Sequence, residues 1–169
     1  MTAFEKAWTL VKMPLLPRSL KDKGDMKWEG VFEDPETKEH LPLRFQGHNT
    51  IDNESLEMEL DDYPIEDFPE HPTDIHSRLL PDTEWMGEIG DEYPERASMR
   101  TDWKSPQTVH GVDTLEEHRR KGYATALYDA LAHILMQTEG RMLYRNSDQL
   151  HDGKRFWGDK KVWPVRDDL

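Results

Sequence analysis

The sequence predicts an α+β (mixed α/β) domain built on a central sheet, and three observations carry that prediction. Short runs of alternating apolar and polar residues recur along the chain. One segment after Gly122 carries its apolar residues at helical spacing. The elements come in the order of several strands, one long helix, a short strand, a short helix and a last strand.

Taken in order, Met1–Leu20 holds a short apolar run, Ala7 to Val11, with room for one helical turn or one strand before Pro14 and Pro17. Lys27–Phe32 and His40–Phe45 read as two strands, joined by a turn or short loop through Asp34-Pro35. Ser55–Leu60 alternates apolar and acidic residues and reads as a third. The region 61–83 contains Pro64, Pro69, Pro72 and Pro81, which exclude a long helix and predict an exposed acidic loop. Glu84–Ile89, Ala97–Trp103 and Thr108–Leu115 read as further strands.

Tyr123, Ala126, Leu127, Ala130, Leu131, Ile134 and Leu135 then define a helix, with Gly140 as its stop. Arg141–Arg145 is strand-like, Asp152–Asp159 predicts a short helix carrying Phe156 and Trp157, and Val162–Val165 an edge strand that tolerates Pro164.

The 169 residues suffice for a single domain, 1–169, with a modest core. There is no cysteine, so disulfides and thiolate metal sites are excluded. The sequence has no run of eighteen apolar residues and no signal-peptide pattern, which argues against a membrane span and for a cytoplasmic protein. The net charge of −13 is regional: Asp52 to Glu95 holds sixteen acidic residues against Arg78, whereas Arg96–Leu169 holds thirteen bases and eleven acids. Nucleic acid is a poor partner for such a chain, because binding it needs cationic surface to displace counterions. The C-terminal part stays free to hold an anion.

That anion site is expected where a strand enters a basic turn and then the long helix. Arg119, Arg120 and Lys121 precede Gly122, Tyr123, Ala124 and Thr125. Glycine permits close approach of backbone or ligand. The first helical N–H groups lack carbonyl partners and carry the positive end of the helix dipole, so a phosphate or pyrophosphate fits there.

The pattern Arg119-x-x-Gly122-x-Ala124, set between a strand and the helix in the run His118–Leu131, resembles the coenzyme A signature of the GNAT N-acetyltransferases. Asn146 just after the next strand strengthens the likeness, which covers Thr108–Leu150 most clearly. The resemblance implies a GNAT-like central, mostly antiparallel sheet flanked by helices, with the helices near the N-terminus reduced. It implies acetyl-CoA as co-substrate, no metal, and transfer of acetyl to a primary amine, in a small molecule or a protein. The backbone of Val112, Asp113 and Thr114 would pair with the pantetheine arm. The amides from Arg120 to Thr125 would cradle the pyrophosphate, and Asn146 belongs to the same site.

Many family members place a general-acid Tyr on the helix after the fifth strand; here that stretch offers Phe156 and Trp157, leaving Tyr144 as the substitute. Candidate bases for the acceptor amine are Glu116 and Glu117, with Asp113, Glu84 and Glu88 beside them. The acidic segment suggests a cationic acceptor. The rival expectation is a non-catalytic acidic binding protein, a degenerate GNAT or a nucleic-acid mimic, engaging a basic protein partner. A homodimer is left open. Asp129 and His133, and His71 and His76, are spaced as metal-ligand pairs, but no third ligand has recognisable spacing.

Overall fold

A computed structural model describes residues 14–49, 83–101, 108–146 and 151–169. The expected third strand at Ser55–Leu60, the acidic loop at 61–82, and His71 and His76 lie outside the described residues. The protein is α+β. Six strands form one antiparallel sheet in chain order: β1 Lys21–Gly24, β2 Lys27–Glu33, β3 His40–Asn49, β4 Thr83–Ile89, β5 Ala97–Thr101 and β6 Val109–Thr114. A 3-10 turn at Glu116–His118 leads into helix α1, Tyr123–Glu139, and a short helix α2 spans His151–Trp157.

Period-two alternation decides which side of the sheet is buried. Trp28 and Phe32 on β2, Leu41, Leu43 and Phe45 on β3, Trp85 and Ile89 on β4, and Ala97 and Met99 on β5 all point to one face. Against that face α1 buries Tyr123, Ala126, Leu127, Ala130, Leu131, Ile134 and Leu135, the stripe its spacing foretold. Gly87 is required at the centre: a Cβ there would stand 2.3 Å from the ring of Phe45, which lies across β4. The helix closes at Gly140 in the left-handed region. The Gly140 N–H donates to Met136 O, the single bond of an αL cap, and the Arg141 N–H donates to Leu135 O.

Three elements differ from the sequence reading. β1 is fully exposed and charged, and exists because Asp25 (φ 52°) and Met26 (φ 60°) form a two-residue hairpin turn of the twisted kind that strands accept. Arg141–Arg145 is not a strand, and neither is Val162–Val165. Tyr144 forms isolated bridges, parallel to Thr108 on one side and antiparallel to Val162 on the other.

The chain's last residues strap the fold. Arg166 donates to Leu15 O (3.2 Å) and pairs with Asp129 (3.4 Å), while Arg18 N–H donates to Asp168 O (2.7 Å). Asp129 sits in the α1 core, where burial raises its pKa against the opposing pull of the Trp163 indole N–H (2.9 Å) and Arg166. Trp163 stacks on Tyr128 and Phe156. His133, far from acting with Asp129, packs its ring edge-on against Trp28. No helix among the described residues is long and apolar enough to cross a membrane.

Candidate functional site

The site is built where β6 lacks a neighbour. Leu115 N–H donates to Arg96 O, and Ser98 faces Asp113, so Asp113 and Gly111 turn their backbone groups toward β5. By the alternation of an antiparallel ladder, Val112 and Thr114 turn theirs outward. On that outer side partners occur at the ends of the strand. Tyr144 bridges Thr108, and the Asn146 Nδ2 donates to Val109 O at 3.1 Å. Arg119 Nε donates to Thr114 O at 3.1 Å. Among the described residues Val112 has no outer backbone partner. β6 and the Tyr144 segment therefore touch at one end and part toward the other.

A cleft of about 630 Å³ opens beyond this fork. One wall is Val112, Asp113 and Thr114. The far end is the turn with Arg119, Arg120 and Gly122 and the first turns of α1. Gly153 and Phe156 of α2 close the other side. Nine of the eleven residues assigned to the coenzyme from the sequence line it: Val112, Asp113, Thr114, Arg119, Arg120, Gly122, Tyr123, Ala124 and Thr125. Lys121 instead pairs with Glu36 on the β2–β3 turn, and Asn146 braces the closed end of the fork.

The helix start is left uncapped. Its first intrahelical bond runs from Ala126 N–H to Gly122 O, Gly122 has no side chain to cap with, and no acidic residue occupies the first turn. The amides of Tyr123, Ala124 and Thr125 thus lack intrahelical acceptors, beside two exposed arginines.

What holds this turn in place lies behind it. Asp34 is fully buried; its Oδ1 accepts the N–H groups of Glu36 (2.8 Å) and Thr37 (3.1 Å), and its Oδ2 accepts the Tyr123 hydroxyl at 2.6 Å. Arg96 reaches Tyr123 Oη (3.1 Å), Asp34 (3.5 Å) and Glu39 (3.0 Å). Burial alone would raise the Asp34 pKa. The Tyr123 hydroxyl, the two backbone N–H groups and nearby Lys121 outweigh it and hold the carboxyl down at about 2. Burial and the Asp34 hydrogen bond push Tyr123 up to about 12, so its phenol stays neutral. The Tyr123 side chain is therefore a structural anchor, and only its backbone faces the cleft.

Gly122 also meets a structural demand. Its φ is 85°, and a Cβ there would stand 2.7 Å from Pro14 Cγ. The missing side chain at Gly122 makes room for Pro14.

Other expected residues scatter. Glu116 and Glu117 are exposed on the 3-10 turn, outside the cleft lining. Tyr144 is 39% exposed and also outside it. Glu84 pairs loosely with Arg100 (3.5 Å). Glu88 is half-buried on the sheet face away from α1; burial and neighbouring Glu95 raise its pKa against the pull of Arg44.

The residues that local reading missed are Tyr128, His118, Gly153 and Phe156. Tyr128 follows Ala124 by four and Thr125 by three, so helical periodicity places it on the same face. Tyr128 is 6% exposed, its ring between Phe156 (5.2 Å) and Trp157 (5.4 Å, edge-on), and burial raises its pKa. His118 packs on Tyr123, with its Nδ1 buried and unpartnered. Among the described residues no group of three or more metal-ligating side chains gathers. No protein-family model, curated protein or solved structure matches the chain.

Proposed function

We propose that the protein binds acyl-coenzyme A in the cleft along β6 and acts as a GNAT-like N-acetyltransferase, passing acetyl from acetyl-CoA to a primary amine. One observation carries the reading: an unpaired strand edge at Val112 leads directly to an uncapped helix start at Tyr123–Thr125 flanked by Arg119 and Arg120. A strand edge offers amide-pairing groups to an extended arm. A helix start with two guanidinium groups suits a pyrophosphate. These are the two chemistries that the pantetheine and pyrophosphate parts of coenzyme A require, in the order in which they are joined.

In the reaction the amine nitrogen attacks the thioester carbonyl, the C–S bond breaks, and the sulfur takes up a proton. Tyr123 is committed to Asp34, and Tyr144 lies off the cleft lining. Tyr128 is the phenol the cleft itself presents, so the proton-donor role expected of Tyr144 passes to Tyr128. Tyr128→Phe should lower kcat at least about tenfold with KM for acetyl-CoA nearly unchanged, since a proton donor acts in the transition state. Equal kcat for the variant and the parent would remove Tyr128 from the role.

The deciding experiment is a calorimetric and thermal-shift titration with coenzyme A. The parent should bind saturably and gain melting temperature. Ala124→Glu should abolish binding, because a carboxylate would project beside the anion cradle. The same variant should keep its fold, because an acidic residue suits the first turn of a helix. A parent that ignores coenzyme A sinks the proposal and leaves the acidic binding protein as the better reading. A salt-sensitive basic protein partner would then be expected.

A further inference from the structure

The sheet face turned away from α1 forms a second concavity, of about 840 Å³, and it meets the first at β6, where Val112 and Asp113 line both. Its charges are ordered by the strand register. One row across the sheet runs Asp113, Ser98, Glu88 and Arg44. The next runs Gly111, Arg100, Met86 and Gln46. Rows two residues apart on one face are separated by roughly 7 Å.

At the β6 end the first row is acidic: Asp113 and Glu88 stand in it, and Glu95 stands close enough to Glu88 to share a hydrogen bond. The second row at that end is cationic, through Arg100. Beside Arg100 in that row, and next to Glu88 on the same strand face, stands Met86, 45% exposed, an apolar contact on this face. Arg100 is tied only loosely to Glu84, at 3.5 Å with its side chain 55% exposed, and an exposed pair of that kind exchanges cheaply for another carboxylate.

We propose that this groove binds a dipolar small molecule, a free amino acid with an apolar side chain. Its ammonium lies on Glu88 and Asp113, its carboxylate on Arg100, and its side chain over Met86. A ligand with only a cationic end engages the acidic row and gains nothing from Arg100, which keeps its loose tie to Glu84; a ligand with only a carboxylate engages Arg100 and gains nothing from the acidic row. The binding stands on this face alone. Use of the bound amine as acetyl acceptor, delivered at Asp113 to the neighbouring cleft, rests on the coenzyme reading above.

The test uses the full chain labelled at its methionine methyl groups, with the Met86 resonance assigned by its loss in Met86→Leu. L-Leucine, 3-methylbutylamine (leucine without its carboxylate) and 4-methylpentanoate (leucine without its amine) are titrated in turn. Leucine should shift the Met86 methyl resonance saturably, with a Kd at least about tenfold below that of either fragment. Glu88→Gln and Arg100→Gln should each weaken leucine about tenfold without lowering the melting temperature, Arg100 being exposed and Gln matching the half-buried Glu88 in size. Absence of a Met86 shift, fragments that bind as well as leucine, or variants that leave the Kd unchanged would each overturn the proposal. Coenzyme A titrated separately distinguishes the two readings. Leucine binding without coenzyme binding removes the acyl-transfer role and keeps the groove, and the opposite result removes the groove alone.

Discussion

The turn from Arg119 to Thr125 has two sides that are built differently. Its inner side is wired: Tyr123 to Asp34 and Arg96, Lys121 to Glu36, Gly122 against Pro14. Its outer side is bare: amides at Tyr123, Ala124 and Thr125 without intrahelical acceptors, and Arg119 and Arg120 exposed. A backbone arranged to leave donors unpaired gains nothing from them in the free protein. The wiring behind holds that arrangement, so binding would not have to order the turn first. Neighbours in sequence thus do opposite work, and a substitution should affect either the fold or the ligand according to which side it touches.

The sharpest separation comes from Ala124→Glu, expected to lose coenzyme A binding entirely while melting like the parent. If it unfolds instead, the two sides are not independent. Gly122→Ala should do the reverse. It forces a side chain into the left-handed region and onto Pro14, which should cost about 2 kcal/mol or more in urea denaturation. A Gly122→Ala protein as stable as the parent would show that the Pro14 contact does not hold the turn.

The smallest effect expected is that of Asp34→Asn, and it depends on pH. The Asp34 carboxyl titrates at about 2 when folded against an ordinary value of 3.8. Its stabilisation is therefore complete above about pH 4 and disappears as pH falls through 2. The variant should lose about 2 kcal/mol at pH 7, and the gap to the parent should shrink steadily below pH 4. A gap that stays constant from pH 7 to pH 2.5 would place the cost in packing instead of charge.

Much of the framework was readable from local pattern. β2, β4 and α1 announce themselves by alternation or helical spacing, and Gly140 marks the end of α1 where a left-handed residue is needed. The strand, basic turn and helix start that line the cleft were readable too, because they follow one another in the chain. What escaped depends on partners far away in sequence. Asp34 looks like an ordinary turn residue before a proline, and its burial comes from Tyr123, 89 positions on. β1 has no apolar residue to betray it and is held by hairpin geometry. The stretch Arg141–Arg145 has strand-like composition but forms β-bridges only at Tyr144. Of the candidate acids and bases, those chosen by nearness to the motif, Glu116 and Glu117, lie outside the cleft lining. Tyr128 was within reach of a helical-face argument.

Arg166 links Leu15, 151 positions earlier, to a carboxylate in the middle of the long helix. The tail therefore serves as part of the core. Replacing Arg166 with an uncharged residue would leave Asp129 as a buried charge with no counterion. The segment around Arg166 and the long helix therefore stand or fall together, although that segment is itself neither helix nor strand.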